Sequence, residues 1–233
     1  MKAKSITVRG IFIGTIISMM ILPLKAQEES SSSFDVGADL VSNYIWRGSK
    51  FGVGPQIQPF VEFSAGNFTI GSWGSFGADT DNGALTSFAE SDLYLSYGFG
   101  FGLSIGLTDY YYPGTDYFDI SSTSGAHGLE VNLGYEVAGI SLGANYMINE
   151  AGGAGTAGGD MYFELGYAFE HVSLFVGAGD GWHTSDGDFA VCNVGMTVSK
   201  ELALTEKFSL PMSGSVILNP EKEQYFVVLG VSF

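Results

Sequence analysis

Residues 129–137 read LEVNLGYEV, and they fall into two sets. Leu129, Val131, Leu133, Tyr135 and Val137 share one face, while Glu130, Asn132, Gly134 and Glu136 share the other. A period of two is the mark of a strand with one apolar and one polar face. The next segment, 140–149, repeats it across Ala138-Gly139, a spacing that predicts a tight hairpin. About twelve such segments can be drawn: 34–46, 55–64, 68–77, 88–98, 101–111, 127–137, 140–149, 160–169, 172–181, 187–198, 207–218 and 224–233. Each is near the length that a tilted membrane strand needs. The alternation is weakest around Trp73, Cys192 and Pro211, and Pro211 predicts a bulge in its strand.

Two all-β architectures suit this pattern, an extracellular sandwich and a membrane barrel. The start of the chain points to export. Lys2, Lys4 and Arg9 precede the apolar run 10–24, GIFIGTIISMMILPL, and Lys25-Ala26-Gln27 closes it. This is the layout of a signal peptide over residues 1–26, followed by a short polar tail, 27–33, and a barrel, 34–233. Past residue 26 no apolar run reaches helix-spanning length.

Loop lengths favour the barrel. Short connections (65–67, 98–100, 138–139, 170–171) alternate with longer ones (47–54, 78–87, 112–126, 150–159), as in barrels with short periplasmic turns and long outer loops. Aromatics sort the same way. Phe34, Phe63, Phe68, Phe99, Phe101, Phe169, Phe208 and Phe233 fall near the short turns. Trp46, Tyr110, Tyr111 and Trp182 fall near the long loops and are expected as interface anchors. The chain stops on Phe233, in phase with Tyr225, and this ending resembles the assembly signal of bacterial outer-membrane barrels. The predicted class is an all-β, transmembrane, up-and-down antiparallel β-barrel of about twelve strands in the bacterial outer membrane. The partners expected of it are outer-membrane lipid and the barrel assembly machinery.

Charge narrows the function. Removing residues 1–26 leaves five basic residues against 25 acidic ones, a net charge of −20 that repels nucleic acid. Asp39, Glu62, Glu90, Asp92, Glu130, Glu136 and Glu164 sit in the polar phase and are expected to line the lumen. They would favour small cationic or neutral solutes in a narrow channel. Arg47 and Lys50 are expected at the lumen rim. The rival expectation is a plugged lumen in a structural or surface-interaction protein.

Catalysis has one candidate. His183, beside Ser185 and Asp186, could form a base and its partner, yet no nucleophile elbow accompanies it. Asp180, Asp186 and Asp188 match no calcium loop. No enzyme activity, cofactor or metal is expected, and an outer-membrane hydrolase is the third reading. The lone Cys192 excludes an internal disulfide.

Ser42-Asn43-Tyr44-Ile45-Trp46-Arg47-Gly48 closes the first segment. With Pro55-Gln56-Ile57-Gln58-Pro59, Ile70-Gly71-Ser72-Trp73-Gly74-Ser75 and Gly106-Leu107-Thr108-Asp109-Tyr110-Tyr111-Tyr112-Pro113, it resembles an uncharacterised family of small bacterial outer-membrane barrels (Gcw_chp-like), whose first strand reads Ser-x-Tyr-aliphatic-aromatic-Arg-Gly. The resemblance implies a signal peptide and an outer-membrane barrel, and no established substrate. On strand phase alone, Trp46 should face lipid and Arg47 should turn inward, pairing with lumenal carboxylates or contacting a solute.

Overall fold

The computed structural model describes residues 32–77, 80–81, 84–85, 88–205 and 208–233; the expected signal peptide lies outside the described residues. Twelve antiparallel strands close into one barrel. They are β1 (Ser32–Val41), β2 (Gln56–Ala65), β3 (Phe68–Gly77), β4 (Ala89–Gly98), β5 (Leu103–Tyr111) and β6 (His127–Val137). The rest are β7 (Ile140–Met147), β8 (Met161–Ala168), β9 (Val172–Gly179), β10 (Ala190–Ala203), β11 (Ser209–Asn219) and β12 (Gln224–Ser232). Closure removes every sheet edge, which a lipid-facing backbone requires.

Outward positions are apolar and uncovered, among them Leu93, Leu133, Leu142, Leu165 and Val216. Such a surface is stable against lipid and not against water. At the short-turn end, Phe34, Phe63, Phe68, Phe101, Phe169, Phe208 and Phe233 are exposed as a girdle, as the sequence predicts. Several inward positions are small where strands must crowd. Ser104, Gly134 and Gly143 lie side by side across β5 to β7, and Gly143 and Gly177 flank Glu164 on β8. Gly177 cannot be larger, because a Cβ there would stand 2.0 Å from the Tyr162 hydroxyl.

One strand end and the place of the bulge differ from the sequence pattern. β1 ends at Val41 rather than at residue 46. The Ser42 N–H donates to the Leu229 carbonyl (2.8 Å), and the Leu229 N–H donates to Ser42 Oγ (2.9 Å), which turns the chain off the wall. The bulge falls between Gly177 and Ala178, opposite Cys192, and not at Pro211. Doubling one residue there buries both Cys192 and Asn193, which is why the alternation blurs. Pro211 needs no bulge, since β11 pairs with β12 only from Met212 onward.

The barrel closes through a thin seam. β1 and β12 share three residue pairs, Asp39 with Ser232, Leu40 with Val231 and Val41 with Gly230, against ten pairs between β1 and β2. Main-chain bonds between Phe233 and Ala38 extend it, at 3.0 and 3.4 Å. Each is worth about 0.5–1.5 kcal/mol. Deleting Phe233 should therefore lower the temperature at which the compact, SDS-resistant band unfolds on a gel. An unchanged transition would remove the last residue from the closure.

Candidate functional site: a hairpin held inside the lumen

The chain between β1 and β2 folds back on itself. Tyr44–Trp46 and Ser49–Phe51 pair as a two-stranded hairpin that is not laddered to the barrel. Its two-residue tip is Arg47-Gly48, both at positive φ (48° and 79°), the geometry of a tight hairpin turn. Glycine takes that conformation freely, and a Cβ at Gly48 would lie 1.9 Å from the Cys192 carbonyl oxygen. Arg47 holds it at some cost in backbone energy, about 1–2 kcal/mol for a side chain in the left-handed region.

The hairpin bridges the lumen. Tyr44 and Trp46 pack with Tyr110 and Met147 on one side, and Phe51, Trp73, Phe88, Tyr112 and Trp182 crowd the same cluster. Ile45 turns the opposite way, to Phe175, Ile217 and Val228. Asn219 Nδ2 donates to the Gly48 carbonyl (2.9 Å), and Lys222 Nζ donates to Ser49 Oγ (3.0 Å).

Arg47 is the centre of the arrangement. It is 5% exposed, and Glu130, its partner, is 1% exposed. Nη1 donates to Oε1 at 2.7 Å and Nη2 to Oε2 at 2.9 Å, a two-pronged carboxylate grip. The guanidinium carbon lies 4.5 Å from the Trp46 ring centroid and 4.4 Å from that of Tyr162, stacked between two aromatic faces. Glu130 also accepts from the Tyr110 hydroxyl (3.0 Å) and from Asn132 Nδ2 (2.7 Å). Asn132 is fixed in turn by Thr108 and Asn145. A buried pair of this kind meets its desolvation cost only when its remaining lone pairs are satisfied, and here they are.

His183 lies next to Arg47, its Nε2 3.4 Å from Nη1. Burial, then the Arg47 and Lys222 charges, hold the imidazole well below its usual range. It is neutral, so Nε2 can accept from the guanidinium. Its Nδ1 has no hydrogen-bond partner among the described residues.

The expected anchors divide. Trp46 faces the lumen and not lipid, because the turn at Ser42 resets the phase of everything after it. Tyr110 is an inward residue bonded to Glu130, and Trp182 packs edge-on against Trp46 and Tyr110. Tyr111 does face outward. At the long-loop end Phe76, Tyr146, Phe189 and Tyr225 are exposed.

The seven acids all point inward but do not form one ring. Asp39 bonds Ser232 at the seam. Glu62 accepts from Tyr94 (3.3 Å), and Glu164 from Tyr162 (2.5 Å) and Asn193 (3.1 Å). Glu136 is half-buried near the short turns. Glu90 lies beside Tyr44 and Tyr112; among the described residues one buried oxygen each of Glu90 and Asp92 has no hydrogen-bond partner. Lys50 is exposed, while Arg47 is buried against Glu130.

The candidate dyad of His183 with Ser185 or Asp186 is not assembled. Ser185 binds Glu221, Asp186 accepts from the Asp188 N–H, and Asp180 accepts from the Met161 N–H. Among the described residues no group of three or more His, Cys, Asp or Glu side chains is placed to hold a metal. Sequence phase missed Tyr44, Ile45 and Tyr162 as hairpin contacts. The signal was present: Tyr44, Ile45 and Trp46 are three consecutive large apolar residues, which a two-faced strand does not place together.

The model of a family described as "Bacterial protein of unknown function (Gcw_chp)" matches residues 25–209. No curated protein matches the sequence. Among solved structures, a mutant Rh. blastica porin is 18% identical over 76% of this chain and 55% of the porin, with a TM-score of 0.39. The chain thus spans about half the length of such porins. The Salmonella typhi outer membrane phospholipase dimer with bound calcium is 13% identical (84% and 88% covered, TM-score 0.43). The Escherichia coli outer membrane phospholipase A is 12% identical (86% and 88%, TM-score 0.40). These likenesses concern the fold alone.

Two outcomes follow for the hairpin. Arg47→Ala or Glu130→Ala leaves one charge buried and alone, and should cost about 3–5 kcal/mol in urea unfolding; replacing both by Met should recover most of it. No loss in either single variant would take the pair out of the stability of the lumen. The second outcome concerns pH. An unfolded imidazole protonates below about 6.5, while the folded His183 resists protonation. Stability is therefore complete above that pH and falls as pH is lowered. Urea midpoints at pH 7.5 and 5.5 should differ less in His183→Gln than in the unaltered protein.

Proposed function

Because the chain belongs to the Gcw_chp family of bacterial proteins of unknown function, we propose from its own geometry that it is an outer-membrane barrel that works with its lumen closed. It is a structural or surface-interaction protein that acts through its long-loop end. The observation that carries this is the hairpin, which buries Tyr44, Ile45, Trp46 and Arg47 across the lumen.

Magnitudes favour closure over an open path. Exposing a large apolar side chain costs about 1.5–3 kcal/mol, and three would be exposed on withdrawal. Parting Arg47 from Glu130 adds to that. Since every 1.4 kcal/mol is about tenfold in population, a spontaneously open state is far too rare to carry steady flux. Outer-membrane lipid would cover the apolar wall. The barrel assembly machinery would recognise the final strand, with Tyr225 and Phe233 outward on it. An exported precursor carrying residues 1–26 as a signal peptide fits this destination.

A second reading, passage of small cationic or neutral solutes, is favoured by Glu90 and Asp92. Among the described residues each keeps one buried carboxylate oxygen without a hydrogen-bond partner, and a permeating cation would be drawn to them. It requires the hairpin to withdraw.

Planar-bilayer recording separates the two. The purified protein should be electrically silent, and Arg47→Ala should show intermittent openings. Steady cation-selective current from the unaltered protein would establish the passage instead, and Glu90→Gln with Asp92→Asn should then weaken its selectivity.

A further inference from the structure

The loop between β5 and β6 holds apolar side chains outside the barrel. Phe118 is 92% exposed and Ile120 is 88% exposed. A loose loop could do this by accident, but this one is fastened at many points. Between Gly114 and Gly125 it has no glycine. The Asp119 carboxylate accepts from the Ser121 N–H (2.9 Å) and Ser124 Oγ (2.7 Å). The Asp119 carbonyl accepts from the Ala126 N–H (2.9 Å), and the Ser122 carbonyl from the Gly152 N–H (2.9 Å). Ordering these residues costs backbone entropy, and what the ordering achieves is a fixed display of Phe118 and Ile120.

Their position follows from Tyr117. Its ring centroid is 5.0 Å from that of Tyr111 and 4.9 Å from that of His127. Both partners occupy outward positions, in phase with Ile105 and Leu133 on the lipid-facing wall. His127 Nε2 lies 2.5 Å from the Tyr117 carbonyl oxygen, and its Nδ1 grips Asp109 at 2.9 Å. The Tyr111 hydroxyl donates to the Thr115 carbonyl at 3.1 Å. The loop therefore turns down over the outside of the barrel rather than across its mouth. Phe118 packs edge-on against Tyr117, and through Tyr117 it is joined to the outward side chains of Tyr111 and His127.

We propose that residues 117–120 form an interfacial anchor, with Phe118 and Ile120 seated among the acyl chains of the lipid leaflet at the long-loop end. The occupant is lipid because the patch is continuous with the lipid-facing wall. Within the segment the Tyr117 carbonyl is bonded to His127, and the Asp119 N–H, carbonyl and carboxylate are bonded within the loop. His127 and Asp109, pairing beside it, sit at the level where charged groups meet headgroups. The anchor rests on the membrane reading of the barrel, and it would fix the height of the long-loop end against the bilayer.

Nitroxide depth measurement tests it on the full chain in bilayers, with Cys192→Ala removing the native thiol. Labels are attached at Phe118→Cys, at Ile120→Cys and, as a reference, at Leu133→Cys on the wall. The expected result is a higher collision rate with oxygen than with an aqueous nickel chelate at all three. If 133 reads lipid while 118 and 120 collide freely with the chelate, the anchor is wrong and the barrel reading stands. If 133 itself reads water, the membrane reading fails and the anchor fails with it. Spin–spin broadening between labels at 118 in different molecules, without oxygen preference, would assign the patch to a second copy and overturn the lipid anchor.

Discussion

A guanidinium with almost no exposure is stable only where a carboxylate, aromatic faces and further donors surround it. Arg47 meets all of these at Glu130, between Trp46 and Tyr162. Each partner explains the other. Glu130 alone in the barrel wall would be a costly buried charge, and Arg47 alone would not leave water. Around the pair, Asn132, itself held by Thr108 and Asn145, donates to Glu130, and Asn219 donates to the Gly48 carbonyl at the hairpin tip. The lumen at this level behaves as a protein core with one ion pair at its centre.

The barrel and its hairpin obey different constraints. The wall must satisfy every backbone group within the sheet, since lipid supplies no partners. The hairpin is free of that rule, because it lies inside the wall and makes its own two-stranded sheet. It touches the barrel through side chains rather than through a ladder. Its hold therefore depends on packing and on the charge pair, which are open to substitution without opening the barrel. The His183 imidazole, neutral beside Arg47, adds a dependence on proton concentration to that hold.

Much of this was legible in the sequence. Period-two alternation located all twelve strands, and the sorting of Phe63, Phe169 and Phe233 marked the short-turn end. Sequence phase also put all seven acids on the inward face. It failed where the chain left the sheet. Extending β1 through residues 42–46 kept Trp46 on the lipid side, although two hydrogen bonds between Ser42 and Leu229 end the strand first. Those bonds join residues far apart in the chain and leave no local trace. Likewise Arg47 could be expected to pair with an inward carboxylate, but the choice of Glu130 among seven depends on how far the hairpin reaches. The burial of His183 depends on a loop folding back over the same pair.

The position of Trp46 tests the central claim most directly, because three locations give three signals. In a protein with Trp73 and Trp182 replaced by Phe, Trp46 is the remaining indole. A hairpin inside the lumen predicts emission that neither aqueous acrylamide nor acyl-brominated lipid quenches until the barrel unfolds. Quenching by the brominated lipid would put Trp46 on the outer wall, and quenching by acrylamide would put it in a solvated loop. Either would contradict a lumen closed by its own first loop.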